Sequence, residues 1–555
     1  MVFSCPLVVQ IGIHACAIAL AFQAPPAAVQ PTATAAPLPH RLDGVFDDWK
    51  ALDPVATRHD KTGEAGIGTD IQTVSLASDD RDFWLFVEFA QPLTLQGLDK
   101  PLVLLVDTDG SPKSGAQQGR LPGADLAIIC SPSPGDVRKN PNKSGPPPSK
   151  EHGQGVQIRV VREDGSFGDI VRAADVGLGI APAHASRRFE FRLPRGPERF
   201  NGMTAAVQVA VVEKLPDGGE QYPDTIETAR CLIGPRAAAE APKVEAPSVA
   251  RAEGTTLRVV SWNAEAGGLF KTPEPFAATL NAIGPDVVLF QELGGKATAE
   301  ELAAWMNTNV GSTNGTAGGA SGGASGSWQA IVSGGDLRTG VVARRPLKNA
   351  PFLDGVKRES PKGDRPVRVV GAVLDLDGQS ILLASLHLKC CGRLASSEDE
   401  TRLAEAAAIH DALRQATEKS PFAAIIVGGD FNLVGEPSVI DRISAGLDGD
   451  GSPLDPVDAL QLNGIANATW RSADESFVPG RLDWMLVSGA SARVARSFVF
   501  NTDDLSAQAI AALALPASAL KEPSDHMPVV TDFILVPIDS AALKSAPPNS
   551  EAAKP

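Results

Sequence analysis

The chain has 555 residues, 43% of them apolar and 21% charged. That composition suits a folded soluble protein, but the length exceeds one ordinary core and predicts two or more domains. A formal net charge of −16 argues against a protein that coats nucleic acid or an anionic membrane by electrostatics. It leaves room for an enzyme that meets a phosphate in one local pocket.

An apolar stretch at 2–22 leads into small residues and prolines. Residues 1–36 therefore read as an export signal and its linker, which places the expected protein in an extracellular, periplasmic or cell-surface location; an uncleaved anchor is the other reading. Removing the signal takes Cys5 and Cys16 with it and leaves Cys130, Cys231, Cys390 and Cys391. Export permits disulfides, and Cys130 with Cys231, both on strand-like segments, is the expected pair. No other apolar run approaches the roughly 20 residues needed to span a bilayer.

Residues 39–235 read as β. Segments such as DFWLFVEFA (82–90), LVLLVDTD (102–109), DLAIICS (125–131) and AAVQVAVVE (205–213) mix alternation with β-branched and aromatic residues between Gly, Pro and Asp turns. An all-β sandwich is the expected architecture. In its DTDG turn, Asp107 and Asp109 either shape a hairpin or offer oxygen ligands to Ca²⁺. A Pro/Ala/charged linker follows at 236–254, and residues 538–555 form a polar tail. The stretches 131–153 and 311–327 are low-complexity surface insertions. Between linker and tail, residues 255–537 alternate strands with helical patterns such as EDETRLAEAAAIHDALRQATEK (398–419), which is α/β.

Strands of the rear domain end in polar residues. LRVVSWNAE delivers Asn263 and Glu265, VVLFQE Glu292, ILLASLHL His387, and IIVGGDFN Asp430 and Asn432; RLDWM holds Asp483, and EPSDHMP supplies Asp525 and His526. Each alone is an ordinary turn or cap residue. Strands of one sheet, however, place their corresponding ends along one rim, where such groups converge. Carboxylates with Asn and His suit a hard, oxygen-preferring cation together with a phosphate. Structural zinc is disfavoured, because the cysteines lack its spacing and no H-E-x-x-H is present.

The order WN, QE, H-L, GDFN, LD and SDH resembles the endonuclease/exonuclease/phosphatase superfamily over about residues 256–537, with further similar pieces at TGVVARRPL (339–347), Arg402 and PVDAL (456–460). The resemblance implies a two-sheet α/β sandwich with outer helices and divalent-metal-dependent cleavage of a phosphoester, with no covalent enzyme intermediate. It implies Glu292 as the principal Mg²⁺ (or Mn²⁺) ligand, supported by Asn263, Glu265 and Asp525. It further implies that Asp430 orients or deprotonates the attacking water and that Asn432 binds a phosphate oxygen. His526, polarised by Asp483, is to contact the phosphate or transfer a proton, and His387 is to stand near the leaving oxygen. The front domain, through LDGVFDDW (42–49), VDTDGSPKSGAQQGRLPGADLAI (106–128) and FEFRLP (189–194), resembles DOMON-like, carbohydrate-binding β-sandwich modules. That implies an accessory role with a carbohydrate or surface ligand.

The favoured substrate reading is a nuclease or phosphodiesterase, expected to act as a monomer. A phosphomonoesterase or lipid phosphodiesterase of the same superfamily, or a non-catalytic surface-binding protein, are the alternatives. Residues 253–537 hold 34 acidic against 23 basic side chains, so the domain lacks the cationic face of a tight DNA binder. Its positive charge concentrates in Arg344, Arg345, Lys348, Lys357, Arg358, Lys362, Arg365 and Arg368, either a solvated strand pair or a strip that guides phosphate. Trp470 and Trp484 read as core or cleft wall. In SLHLKCCGRL (385–394) adjacent cysteines follow the site histidine. Neighbouring Cα atoms about 3.8 Å apart fall below the usual disulfide range of about 4.4–6.8 Å, so two free thiols are expected, with a redox switch near His387 as the functional alternative.

Overall fold

The computed structural model describes residues 40–51, 57–59, 69–117, 121–132, 153–196, 200, 204–214, 220–233, 243–311, 326–472, 475–521 and 523–536. The expected export segment at 1–36, the polar tail and most of the two low-complexity insertions lie outside them. Among the described residues no helix is long and apolar enough to cross a membrane.

The front half is a β-sandwich. One sheet runs in the order Thr57–His59, Ile71–Ser78, Asp82–Leu93, Ser186–Pro194, Gly179–Ala181. The other runs Glu220–Glu227, Thr204–Lys214, Leu102–Asp107, Leu126–Cys130, Val156–Val161, Phe167–Val171, with Cys231–Leu232 also pairing to Thr204–Lys214. Alternation sends Leu85, Val87, Phe89 and Phe191 of the first sheet against Leu104, Val106, Ile128 and Val207 of the second in one buried core.

This sheet order overturns the expected Cys130–Cys231 disulfide: neither cysteine is in a disulfide. Cys130 pairs with Leu102, which is level with Val211, whereas Cys231 pairs with Ala205 on that same long strand. Six residues of strand at about 3.3 Å each separate the two levels, far beyond disulfide reach.

The rear half is a two-sheet α/β sandwich. Its first sheet runs Gln329–Val332, Gly340–Ala343, Val287–Gln291, Leu257–Asn263, Val529–Leu535, Ala492–Val499; its second runs Leu347–Asn349, Val369–Leu376, Gln379–His387, Ala424–Asp430, Asp483–Val487, Asp455–Pro456. Val259, Leu289 and Val341 meet Leu383, Ile426 and Met485 between the sheets. The outer face of the first sheet packs on helices Pro273–Ile283 and Ala299–Asn309 through Phe276, Leu280, Leu302 and Met306. The second packs on Ser397–Lys419 and Val439–Ser444 through Ile409, Leu413, Val439 and Ile443. Strands buried on both faces explain the near-continuous apolar runs of the sequence.

Two buried polar links stitch this sandwich. Gln291 Nε2 donates to Ser385 Oγ at 3.0 Å across the sheets, and Ser385 Oγ donates to the Phe290 carbonyl at 2.8 Å. Arg258, 1% exposed, forks onto Asp532 through Nε and Nη2 at 2.6 and 2.7 Å and spends Nη1 on the Val249 and Ile283 carbonyls. A guanidinium so fully satisfied holds the first sheet to the segment that enters it.

The two halves touch through rear-half loops. Thr94 Oγ1 accepts from Leu394 N at 2.9 Å and donates to the Val434 carbonyl at 3.2 Å. Ala185 N donates to Gly435 O, Val478 N to Gln96 Oε1, and Leu42 N to Ile465 O, at 2.9, 3.0 and 2.7 Å.

Candidate active site

Strand register assembles the second-sheet half of the site. His387 is level with Asp430 on the neighbouring parallel strand, and Asp430 is level with Asp483 on the next, antiparallel one. Three terminal polar residues thus become one row. Gly429 lets these strands close up: a Cβ there would run into the Leu386 carbonyl oxygen, which gives the glycine pair of VGGDFN its physical purpose. In the first sheet Asn263 is level with Gln291, so Glu292 begins just beyond the same rim.

Asp430 is the centre. It is 2% exposed; its Oδ2 accepts from Asn263 Nδ2 at 3.1 Å and Asn432 Nδ2 at 2.9 Å, and its Oδ1 accepts from Asn432 N at 2.9 Å. His387 Nε2 lies 3.6 Å from Asp430 Oδ2 and 3.6 Å from Glu292 Oε1, and His526 Nε2 lies 3.8 Å from Asp430 Oδ2. Across the row, His526 Nδ1 and Asp483 Oδ2 are hydrogen-bonded at 2.7 Å.

The environment separates the two histidines. Burial pushes His387 well below its ordinary value, and the nearby Arg368, His526 and Lys389 charges reinforce it, so this ring is neutral. Burial alone would lower His526 too, but the carboxylates of Asp483 and Asp430, with the hydrogen bond that the ring donates to Asp483, outweigh it and hold the imidazolium up to about 10. Burial raises the Asp430 carboxyl, with Asp483 and Glu292 adding to the rise. Such crowding of buried carboxylates is relieved by a cation.

Backbone strain concentrates here. Glu265, Glu292 and Asn432 have positive φ of 43°, 54° and 47°, the left-handed region that non-glycine residues rarely occupy. The turn after Asn263 carries Ala266 N to Glu292 Oε2 at 2.9 Å, while Glu265 Oε2 accepts from Asp525 N at 3.1 Å. Asp525 Oδ2 in turn accepts from Trp470 Nε1 at 3.0 Å.

All nine residues singled out from sequence therefore lie on one rim. Glu292, His387 and Asp430 bring ligand atoms within 4.8 Å of one another, as do Asp430, Asp483 and His526. Glu265 and Asp525 are joined to each other on the first-sheet side, and Asn432 spends its amide hydrogens on Asp430 and on the Leu388 carbonyl at 3.2 Å. An oxygen-rich donor set around a carboxyl that burial has raised fits a hard divalent cation, with Glu292 and Asp430 as the nearest holders and Asn263 beside them.

Several supporting residues escaped the sequence reading. Ser524 Oγ donates to the Asn263 carbonyl at 2.8 Å and accepts from His526 N at 3.1 Å. Thr469 Oγ1 accepts from Asp483 N at 2.9 Å. Trp262 Nε1 donates to the His526 carbonyl at 2.9 Å. The serine inside SDH was a signal in plain view; the others carry none, because their partners lie far away in sequence.

In the front half, Asp107, Asp109 and Asp125 also bring carboxylate oxygens within 4.8 Å. Asp107 is ion-paired with Arg230 at 2.6 Å and caps the turn through Gly110 N at 2.7 Å.

No curated protein matches the chain. Among solved structures, the human Nocturnin catalytic domain with bound sulfate is 18% identical, with a TM-score of 0.34 over 52% of this chain and 96% of its own. A humanized D. rerio TDP2 is 15% identical, with a TM-score of 0.30 over 50% and 98%. The 3′ phosphatase NExo from Neisseria, bound to a product DNA hairpin, is 16% identical, with a TM-score of 0.32 over 50% and 99%. The family model described as Endonuclease/Exonuclease/phosphatase family matches residues 260–526, the stretch that carries every residue of the rim. The rear half of this chain, from residue 260 to residue 526, is thus similar to the Endonuclease/Exonuclease/phosphatase family.

Proposed function

We propose that this protein is an exported phosphodiesterase or nuclease that hydrolyses its substrate by in-line attack of water, with Mg²⁺ or Mn²⁺ as cofactor. The observation that carries the reading is the placing of two histidines on either side of one buried carboxylate, His387 at 3.6 Å and His526 at 3.8 Å from Asp430 Oδ2, with surroundings that drive the first toward its neutral and the second toward its protonated form. Sites that push titratable groups apart in this way divide acid and base roles between them.

A divalent cation held by Glu292 and Asp430 would supply charge neutralisation at the phosphoryl group. The chain's own groups do the rest. Asp430, fixed by the Asn263 and Asn432 amides, positions the attacking water and accepts its proton. His526, kept protonated by Asp483, donates to a phosphoryl oxygen as negative charge builds there. His387, neutral, offers one N–H toward the leaving oxygen without adding charge. Glu265 and Asp525, linked through a backbone N–H, hold the turn that presents Glu292.

The boundaries 39–235 for an accessory module and 255–537 for the catalytic domain belong to the same proposal. So does a carbohydrate or surface ligand for the module, with the acidic turn at Asp107 and Asp109 as its Ca²⁺ site. The test is a panel of plasmid DNA, RNA, bis-(p-nitrophenyl) phosphate, sphingomyelin and phosphomonoesters, with Mg²⁺ and with EDTA. Diester cleavage that stops with EDTA supports the proposal. Cleavage of monoesters alone, or activity that survives the double change Asp430→Ala, His526→Ala, sinks it.

A further inference from the structure

The loop that leaves His387 carries two adjacent cysteines that no step of the hydrolysis uses. Cys390 and Cys391 are both partly exposed and unbonded, with Sγ atoms 2.8 Å apart. That spacing is longer than the covalent S–S distance of about 2.05 Å, yet shorter than two non-bonded sulfurs normally keep.

The backbone enforces it. Arg402, 0% exposed, donates from Nη1 to the Lys389 carbonyl at 2.7 Å and the Cys391 carbonyl at 3.1 Å, clamping the peptides before and after the Cys390–Cys391 pair. Glu405 Oε2 accepts from Lys389 N at 2.7 Å, and Cys391 adopts φ +72°. A pair held in this way keeps its two side chains on one side of the chain.

The local field favours a thiolate. The Cys391 thiol donating to Cys390, with the Lys389 and Arg368 charges close by, outweighs burial and lowers Cys390 to about 6; Cys391 is raised correspondingly. Lys389 Nζ stands 3.7 Å from Cys390 Sγ. The Lys389 and Arg368 charges beside Cys390 disfavour a free metal cation at that sulfur and admit a neutral electrophile. Direct closure to a disulfide works against the short Cα spacing, whereas a bridging atom lengthens the link by one bond and relieves it.

We infer that Cys390 and Cys391 form a reactive vicinal dithiol, a capture site for one neutral bidentate thiophile of the trivalent-arsenical class. With phenylarsine oxide the step is balanced and redox-neutral. Two As–S bonds replace the As–O bonding, and the two thiol protons leave with the oxygen as water. The captured group sits on the segment that also fixes His387, because the Leu388 carbonyl between them accepts from Asn432 Nδ2 and Arg368 Nη2 at 3.2 and 3.3 Å.

The experiment is intact-mass analysis of the full chain, reduced with a phosphine and titrated with phenylarsine oxide. One adduct per chain is expected, released by excess 2,3-dimercaptopropanol. Cys390→Ser and Cys391→Ser are each expected to weaken capture by at least about 10²-fold, the loss of a two-point attachment. Cys130→Ser is expected to leave it intact. Cys5 and Cys16 are present in every variant, so the differences report the pair alone. An adduct that persists in the Cys390→Ser, Cys391→Ser double variant, or no adduct on the parent chain, overturns the assignment. A second readout rests on the phosphoesterase proposal: hydrolysis of bis-(p-nitrophenyl) phosphate should fall with the adduct and return on release. Full activity at full adduct overturns the link to His387, while the mass result stands independently of whether the chain hydrolyses anything.

Discussion

Replacing Asp483 by Asn tests the division of labour between the two histidines. In the native site Asp483 Oδ2 lies 2.7 Å from His526 Nδ1, and the ring is held up to about 10 against an ordinary 6.5. Asn keeps the shape and removes the charge. If the ring returned all the way to 6.5, its protonated fraction at pH 8 would drop from about 0.99 to about 0.03, a loss of about 30-fold. Asp430 remains nearby and burial opposes protonation, so 30-fold is the scale of the effect on kcat/KM at that pH. The assay is the pH–rate profile of bis-(p-nitrophenyl) phosphate hydrolysis in Mg²⁺, with the His526 Cε1–H resonance titrated by NMR in both proteins. An alkaline limb unmoved in Asp483→Asn refutes the reasoning. A stability measurement checks the sign: a histidine whose folded value exceeds its unfolded one stabilises fully below about 6.5 and loses that contribution as pH rises through about 10. The Tm gap between the native and Asp483→Asn proteins should therefore close above pH 10.

Asp430→Asn is expected to lower kcat by about 10²- to 10⁴-fold, the range for a positioned general base, while leaving the near-ultraviolet circular dichroism spectrum unchanged. Because burial and neighbouring carboxylates raise Asp430, added Mg²⁺ should shift the acidic limb of kcat/KM to lower pH; profiles at two Mg²⁺ concentrations that superimpose would remove Asp430 from the cation site. Asp532→Ala strands the buried Arg258 guanidinium and should destabilise by about 3–5 kcal/mol in urea unfolding. With 34 acidic against 23 basic residues over 253–537, DNA binding should show a log–log salt slope no steeper than about −2, from few phosphate contacts.

The rim was legible because its central residues stand at the ends of apolar runs. Asn263, His387 and Asp430 are the last residues of their strands, and parallel pairing does the rest. What the sequence could not convey is which residues lie level across strands of distant origin. Asp483 reads as one more turn carboxylate until register sets it beside Asp430. Cys130 and Cys231 read as a plausible pair until the sheet order puts them at different levels. Thr469 and Trp262 act through partners far away in sequence, where local pattern carries no information. Asn432 sits within a recognisable motif, yet its amide hydrogens turn toward Asp430 and Leu388, a choice made by the packing of two loops.

The front sandwich grips the rear half at loops on either side of the site, through Thr94 to Leu394 and Val434, Ala185 to Gly435, and Gln96 to Val478. A protease that nicks the connection at 236–254 would consequently leave two fragments that migrate together until denaturant parts them. An expression fragment starting near residue 255 would expose Leu394, Val434 and Val478 to water along with the backbone groups they now pair. For anyone engineering this chain, the useful unit of exchange is the whole two-part body: grafting a different sandwich onto the rear half means rebuilding the seats of four loops, the one at Ile465 included, as well as joining two ends.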